Sequence, residues 1–261
     1  MRNQKMKVSV IVTCYNKGKY IEECLYSIFN QSYRNIELII FNDGSTDDSD
    51  EIIRECLKES PFKNTQYIST FNRGVITTRN DGIDKSNGES ILFVDGDDYL
   101  DLDFINIMVD EMIFSDKDIV GCAAWDFIGK KYQNIYKKEF DIRDMLSNNI
   151  INASSLVKKK VIGEIRFDER LSNGVMEDYD FWVNLILNHN ASVFYTHKTR
   201  LNYRILSDGR SRSNNRRKKY YFYKIFMKKY SNKISNKDFI FIFKKLNIKM
   251  KLIFLVFRII Y

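Results

Sequence analysis

The sequence predicts an α/β protein with a doubly wound, mostly parallel sheet and a basic helical tail. Three observations carry this. First, short and nearly continuous apolar runs, rich in β-branched residues, stand at Lys7–Cys14, Ile36–Phe41 and Ile91–Val94, as expected of strands buried on both faces. Second, the first two runs lead into polar loops and then into segments with helical spacing, which makes strand-to-helix crossovers. Third, the charge is segregated. The 261 residues carry a formal net charge of +8, yet the segment from Arg216 to Tyr261 holds 14 Lys and Arg against Asp238 alone. The body before it is therefore mildly acidic, and a nucleic-acid enzyme is not expected.

In chain order, the strand at Lys7–Cys14 is followed by the loop Tyr15-Asn16-Lys17-Gly18. Tyr20, Ile21, Cys24, Leu25 and Ile28 then repeat on one helical face. The strand at Ile36–Phe41 ends in Asn42-Asp43-Gly44-Ser45-Thr46-Asp47-Asp48, a string suited to a turn and a helix N-cap. The next helix stops near Pro61, the only proline. Gln66–Ser69 reads as a shorter strand, and Asn72-Arg73-Gly74 opens a helix that runs towards Gly88. The strand that follows, Ser90-Ile91-Leu92-Phe93-Val94, runs directly into Asp95-Gly96-Asp97-Asp98.

Further on, Phe104–Phe114 reads as a helix and Ile119–Trp125 as a strand, whereas residues 128–165 give only mixed, short signals. Glu177-Asp178-Tyr179-Asp180-Phe181-Trp182 starts a helix with acids in its first turn, where they complement the helix dipole. Ser192–Thr196 and Leu201–Ile205 read as two last strands. One domain is expected over residues 1–215 and a basic amphipathic tail over residues 216–261.

The four cysteines have no metal-ligand spacing and are read as reduced. The N-terminus lacks the pattern of a signal peptide, and no apolar run approaches the ~18 residues of a spanning helix. The expected location is cytoplasmic, peripheral on the inner face of the cell membrane.

The chemistry lies at the strand ends, where open α/β sheets bind ligands. Asp95 and Asp97 flank a residue without a side chain, so their oxygens can share one hard cation, which in turn can hold a diphosphate. The structural alternative is an acidic turn that caps a helix.

Four blocks, VSVIVTCYN, FNDGSTDDS, NRGVITTRNDGI leading to GESILFVDGDDYL, and FDERLSNGVMEDYDFW, occur in an order that resembles the family 2 inverting glycosyltransferases of GT-A fold. The resemblance runs from about Val8 to about Ile205. It implies that Thr13 and Tyr15 border a nucleotide base, that Asp43 accepts a hydrogen bond from the base, and that Arg79 lies near the donor. It also implies that Asp95 contacts the ribose or diphosphate, that Asp97 ligates Mg²⁺ or Mn²⁺, and that Asp178 is the catalytic base. Glu177 and Trp182 are expected on the acceptor side.

Each residue also has a structural reading. Thr13 and Tyr15 can be plain strand-end residues, Asp43 a cap, Asp178 a dipole partner, Arg79 half of an ion pair and Trp182 a core residue. The expected partners are a nucleoside-diphosphate sugar of UDP type, a glycan or lipid-linked acceptor, and an anionic membrane surface, with no nucleic acid.

Two departures from the family pattern stand out. Tyr203-Arg204 is followed by Ile205-Leu206, where a late His is customary, so Arg210 or Arg212 is the expected substitute at the diphosphate. Asn184 stands where an Arg is usual. The alternatives to this reading are a haloacid-dehalogenase-like phosphatase and a non-catalytic nucleotide-binding membrane adaptor. The phosphatase pattern wants Thr or Val where Tyr99 stands. In the tail, Phe239, Ile242, Phe243, Leu246, Met250, Ile253, Phe254 and Phe257 share a helical face opposite Lys244, Lys245, Lys249, Lys251 and Arg258, the form of a helix that lies in a membrane interface.

Overall fold

Three crossovers build the first hundred residues of the computed structural model, which describes residues 6–126, 132–133, 140–147, 149–172, 176–206, 216–245, 251 and 255. The order is β1 (Val8–Cys14), α1 (Gly18–Phe29), β2 (Ile36–Asp43), α2 (Ser49–Leu57), β3 (Thr65–Thr70), α3 (Val75–Lys85) and β4 (Ser90–Asp95). Val8 stands opposite both Ile36 and Ser90, so β1 is sandwiched by two parallel neighbours. All eight residues of β2 are buried, which is why its sequence shows no polar alternation. β3 lies at the sheet edge, and its Thr, Gln and Ser residues suit the partial exposure there.

The second half comprises β5 (Tyr99–Leu100), α4 (Phe104–Ser115), β6 (Ile119–Asp126), β7 (Tyr132–Gln133), α5 (Ile142–Ser147), β8 (Leu156–Lys158), α6 (Lys159–Ile162), α7 (Glu177–His189), β9 (Val193–Tyr203), α8 (Arg216–Tyr230) and α9 (Asn236–Lys245). Among the described residues the sheet has the order β3-β2-β1-β4-β8-β6-β9-β5, with β7 on β6. β8 joins β4 and β6 antiparallel, and β9 runs parallel to β6. The two late strands expected at Ser192–Thr196 and Leu201–Ile205 are one strand, β9. Its register against β6 jumps from Cys122–Thr196 to Ala123–Arg200. The three residues His197-Lys198-Thr199 bulge out, and this break in the apolar pattern makes one strand read as two.

Strand alternation sends neighbouring residues to opposite faces. Val10, Val12, Leu38, Ile40, Leu92 and Val94 pack with α1 and α4 on one side. Ile11, Ile39, Phe41, Ile91 and Phe93 pack with α7 and α8 on the other. Phe222, Phe226, Met227 and Tyr230 of α8 are buried in that second layer, so the boundary expected at residue 215 falls just before a helix that completes the core. Of the expected apolar tail face, Ile242 is buried, with Phe239 packed beside it where α9 meets α5. Leu246, Met250, Ile253, Phe254, Phe257, Lys249 and Arg258 lie outside the described residues. No helix among the described residues is long and apolar enough to cross a membrane.

Candidate active site

The ends of β1 and β4 meet in register, Thr13 opposite Asp95. The Thr13 hydroxyl donates to Asp95 Oδ1 at 3.0 Å. Arg79, brought in by α3 and only 2% exposed, donates from Nη2 to the same oxygen at 2.8 Å and lies 3.5 Å from Glu177 Oε1 through Nη1. Its guanidinium rests on the Phe167 ring, which is itself stacked on Phe181 at 4.1 Å. Burial opposes a charge at Arg79, but Asp95, Glu177 and Asp178 outweigh it and hold the cation in place. The ion-pair reading of Arg79 therefore holds, and the pairs it makes are with two of the candidate site residues, Asp95 and Glu177.

Asp43, at the end of β2 and 5% exposed, accepts from the backbone N–H groups of Arg73 and Gly74, both at 2.8 Å. It therefore ties down the loop that opens α3 and does not cap α2. The approach of the two loops is close enough to demand glycine. A Cβ on Gly44, whose φ is +71°, would stand 2.4 Å from Asn72 N. Tyr15 is 45% exposed on the same rim. Asn16, beside it, bridges to that loop, since its N–H donates to Ser45 Oγ at 3.0 Å and its Oδ1 accepts from Thr46 N at 2.8 Å.

The acidic loop after β4 has divided duties. Asp97 Oδ2 accepts from Lys17 Nζ at 2.6 Å, and its carboxyl is raised by burial and by the neighbouring Asp95. Asp98 is buried and is raised well above the usual carboxylate range, first by burial and then by Asp95 and Asp97. It accepts from Arg204 N at 2.9 Å, while Arg204 Nε donates to Asp97 O at 2.9 Å and its guanidinium pairs with Glu23 and covers Tyr20. The Tyr203-Arg204 pair, which lacks the customary His, thus anchors the acidic loop through Arg204. Arg210 and Arg212 lie outside the described residues.

No cluster of three metal-ligating side chains exists among the described residues. Mg²⁺ and Mn²⁺, however, take one or two carboxylates and complete their shell with substrate phosphates and water. The Asp95 and Asp97 carboxylates, set either side of Gly96 at the strand end, fit that mode, because a cation would offset the burial and, after it, the Asp95 charge that raise Asp97.

α7 begins after Met176, held in the left-handed region at φ 75°. Such a residue costs roughly 1–3 kcal/mol, which the surrounding packing must offset. Glu177 is buried towards Arg79. Asp178 is half-buried, and its Oδ2 accepts from Asn149 Nδ2 at 3.0 Å. Burial first and the Glu177 charge second push its carboxyl up to about 6, with Arg79 pulling the other way.

Trp182 is fully buried, edge-on to Phe181 with centroids 5.1 Å apart. The expectation that it offers a flat face to an acceptor sugar is therefore corrected. The helix is covered on several sides, and the ring faces the core. The sequence reading did not name Lys17, Asn149, Asp98 or Arg204 among its candidates, and the structure brings all four to the candidate acids. Lys17 had a signal, a basic residue in a strand-end loop, whereas Asn149 lies where the sequence pattern is weakest.

Residues 9–167 match the model of the glycosyl transferase family 2. The chain is 29% identical over 225 residues, 79% of its length, to the glycosyltransferase GlyA of Streptococcus pneumoniae. It is 31% identical over 219 residues, 78% of its length, to the minor teichoic acid biosynthesis protein GgaB of Bacillus subtilis. It spans 32% of GlyA and 23% of GgaB. Among solved structures it superposes on S. aureus TarS (residues 1–349, in complex with UDP-GlcNAc) with a TM-score of 0.75 and 20% identity, covering 93% of this chain and 72% of that one. The fold is the GT-A type.

Proposed function

Because the chain belongs to glycosyl transferase family 2, we propose that it moves one sugar from a UDP-type donor to a hydroxyl of a glycan or lipid-linked acceptor, with inversion at the anomeric carbon, in the synthesis of a cell-surface polysaccharide. One observation carries the reading. A single buried arginine, Arg79, joins Asp95 on the donor side of the rim to Glu177 at the start of the helix that bears Asp178. This supports a reading in which Asp95 as donor contact and Asp178 as base are held in one frame, although they are far apart in sequence.

In this reading Tyr15 and Asp43 border the base of the nucleotide, and Thr13 and Arg79 orient Asp95 towards the ribose and diphosphate. Asp97, with Asp95 beside it, would hold a Mg²⁺ or Mn²⁺ ion, which would supply positive charge to the diphosphate leaving group. Asp178 accepts the proton of the acceptor hydroxyl as that oxygen attacks the anomeric carbon. A carboxyl near 6 is still ionised at neutral pH and is more basic than an ordinary aspartate, which suits the task. The UDP preference is supported by the fold shared with a protein that binds UDP-GlcNAc. The cell-surface role is supported by the likeness to a teichoic acid protein. The basic C-terminal segment suits peripheral contact with the inner face of the membrane, where a lipid-linked acceptor would be met.

The test is a thermal-shift screen of nucleotide sugars with and without Mn²⁺, followed by assay of nucleotide release. Stabilisation by UDP-GlcNAc above GDP- and dTDP-sugars is expected. Absence of stabilisation by every nucleoside-diphosphate sugar overturns the reading.

A further inference from the structure

Asp178 has a neighbour that the family blocks do not contain. Asn149 stands in the segment between α5 and β8 and reaches across 29 residues to place Nδ2 at 3.0 Å from Asp178 Oδ2. The other end of the same amide, Oδ1, is buried and has no hydrogen-bond partner among the described residues. Only Asp178 therefore determines which way the amide faces. We propose that Asn149 is the positioning residue of the base. Its N–H holds the Asp178 carboxylate in one rotamer and in the ionised state that can take the acceptor proton.

The unpartnered Oδ1 adds a second property. Once Asp178 carries the proton, the amide can turn over and accept that O–H without breaking any other hydrogen bond. One side chain thus serves both protonation states of the base. The charged groups around Asp178 are Glu177 on its own helix and Arg79 from α3, the latter tied to Asp95 of β4. None of these can exchange donor for acceptor in this way: a carboxylate only accepts and a guanidinium only donates.

The proposal rests on the reading of Asp178 as base, so its test uses a readout that does not require turnover. The full chain is labelled with ¹³C at the aspartate side-chain carboxyls, and the Asp178 signal is identified by its loss in Asp178→Asn. In Asn149→Ala the titration midpoint of Asp178 should rise by about one pH unit, the loss of one charge-assisted hydrogen bond. In Asn149→Asp it should rise further, because a second carboxylate replaces the donor. Unchanged midpoints in both variants, with melting curves that show intact folds, overturn the proposal and leave the catalytic assignment of Asp178 standing. Turnover of UDP-GlcNAc by Asp178→Asn at the wild-type rate would overturn both.

Discussion

The Lys229 ammonium lies 2.5 Å from the Asp180 carboxylate, two residues beyond the candidate base. Lys229 also reaches Asp168 at 3.1 Å, and the Tyr230 hydroxyl donates to Asp180 Oδ1 at 3.0 Å. Next to this polar knot, Tyr179 stacks on Phe226 with centroids 5.5 Å apart. α8 is therefore fastened to the first turn of α7, the helix that bears the candidate base, by both polar and apolar contacts.

Removing those contacts should destabilise the whole chain. Phe226→Ala is expected to cost about 3–5 kcal/mol as a buried aromatic. Lys229→Met should cost about 3 kcal/mol or more by leaving Asp180 buried without its cation. Urea unfolding measures both. A chain cut at residue 215 should fail to give a cooperative melt, and a melt equal to that of the full chain would show that α8 is dispensable.

Asp178→Asn should reduce transfer by about 10²-fold or more, since an amide cannot accept the proton. Its stability should change in the opposite direction. The carboxyl is raised from the ordinary 3.8 to about 6 in the folded chain, so the stability contributed by protonation is full below pH 3.8 and is lost as the pH rises through about 6. The never-charged variant should therefore melt above wild type at pH 7.5, and the difference should vanish at pH 3.5 or below. Wild-type activity should fall on the acid side of about pH 6.

Asp97→Ala should retain the fold and lose the Mn²⁺-dependent part of UDP binding, read by thermal shift. Lys17 supplies the converse test, because its ammonium now sits on Asp97. Lys17→Met should bind Mn²⁺ more tightly than wild type in the absence of nucleotide. Equal Mn²⁺ affinity in the two proteins would argue against Asp97 as a ligand.

A chain ending at Lys245 keeps α8 and α9 and removes only the last sixteen residues. It should fold like the full chain and fail to sediment with anionic liposomes at low salt. Equal sedimentation of the two would place any membrane contact elsewhere.

The crossovers were legible because β1, β2 and β4 are buried on both faces and their apolar runs are uninterrupted. Asp43, Asp95 and Asp178 were legible as acids at element ends, which is where α/β sheets concentrate their chemistry. The partners of these acids were not. Arg204 meets Asp98 across 106 residues, and Lys17 meets Asp97 across 80, distances over which local pattern carries no information. Trp182 was misplaced because α7 buries Tyr179, Phe181, Trp182, Val183 and Leu185 in succession, so no single apolar face distinguishes a core residue from a platform. The tail read as amphipathic, but amphipathicity alone does not say whether lipid or protein covers the face. For α8 the cover is the second layer of this chain's own core.

The order of synthesis gives α8 one more consequence. The ribosome releases α7 before the helix that covers it, so the nascent chain carries Tyr179 and Asp180 exposed until residues 222–230 emerge. During that interval the first turn of α7 lacks the contacts that hold it, and the growing polypeptide presents an apolar seam that a chaperone can bind. The first turn of α7 would then reach its final packing only after residues 222–230 have left the ribosome.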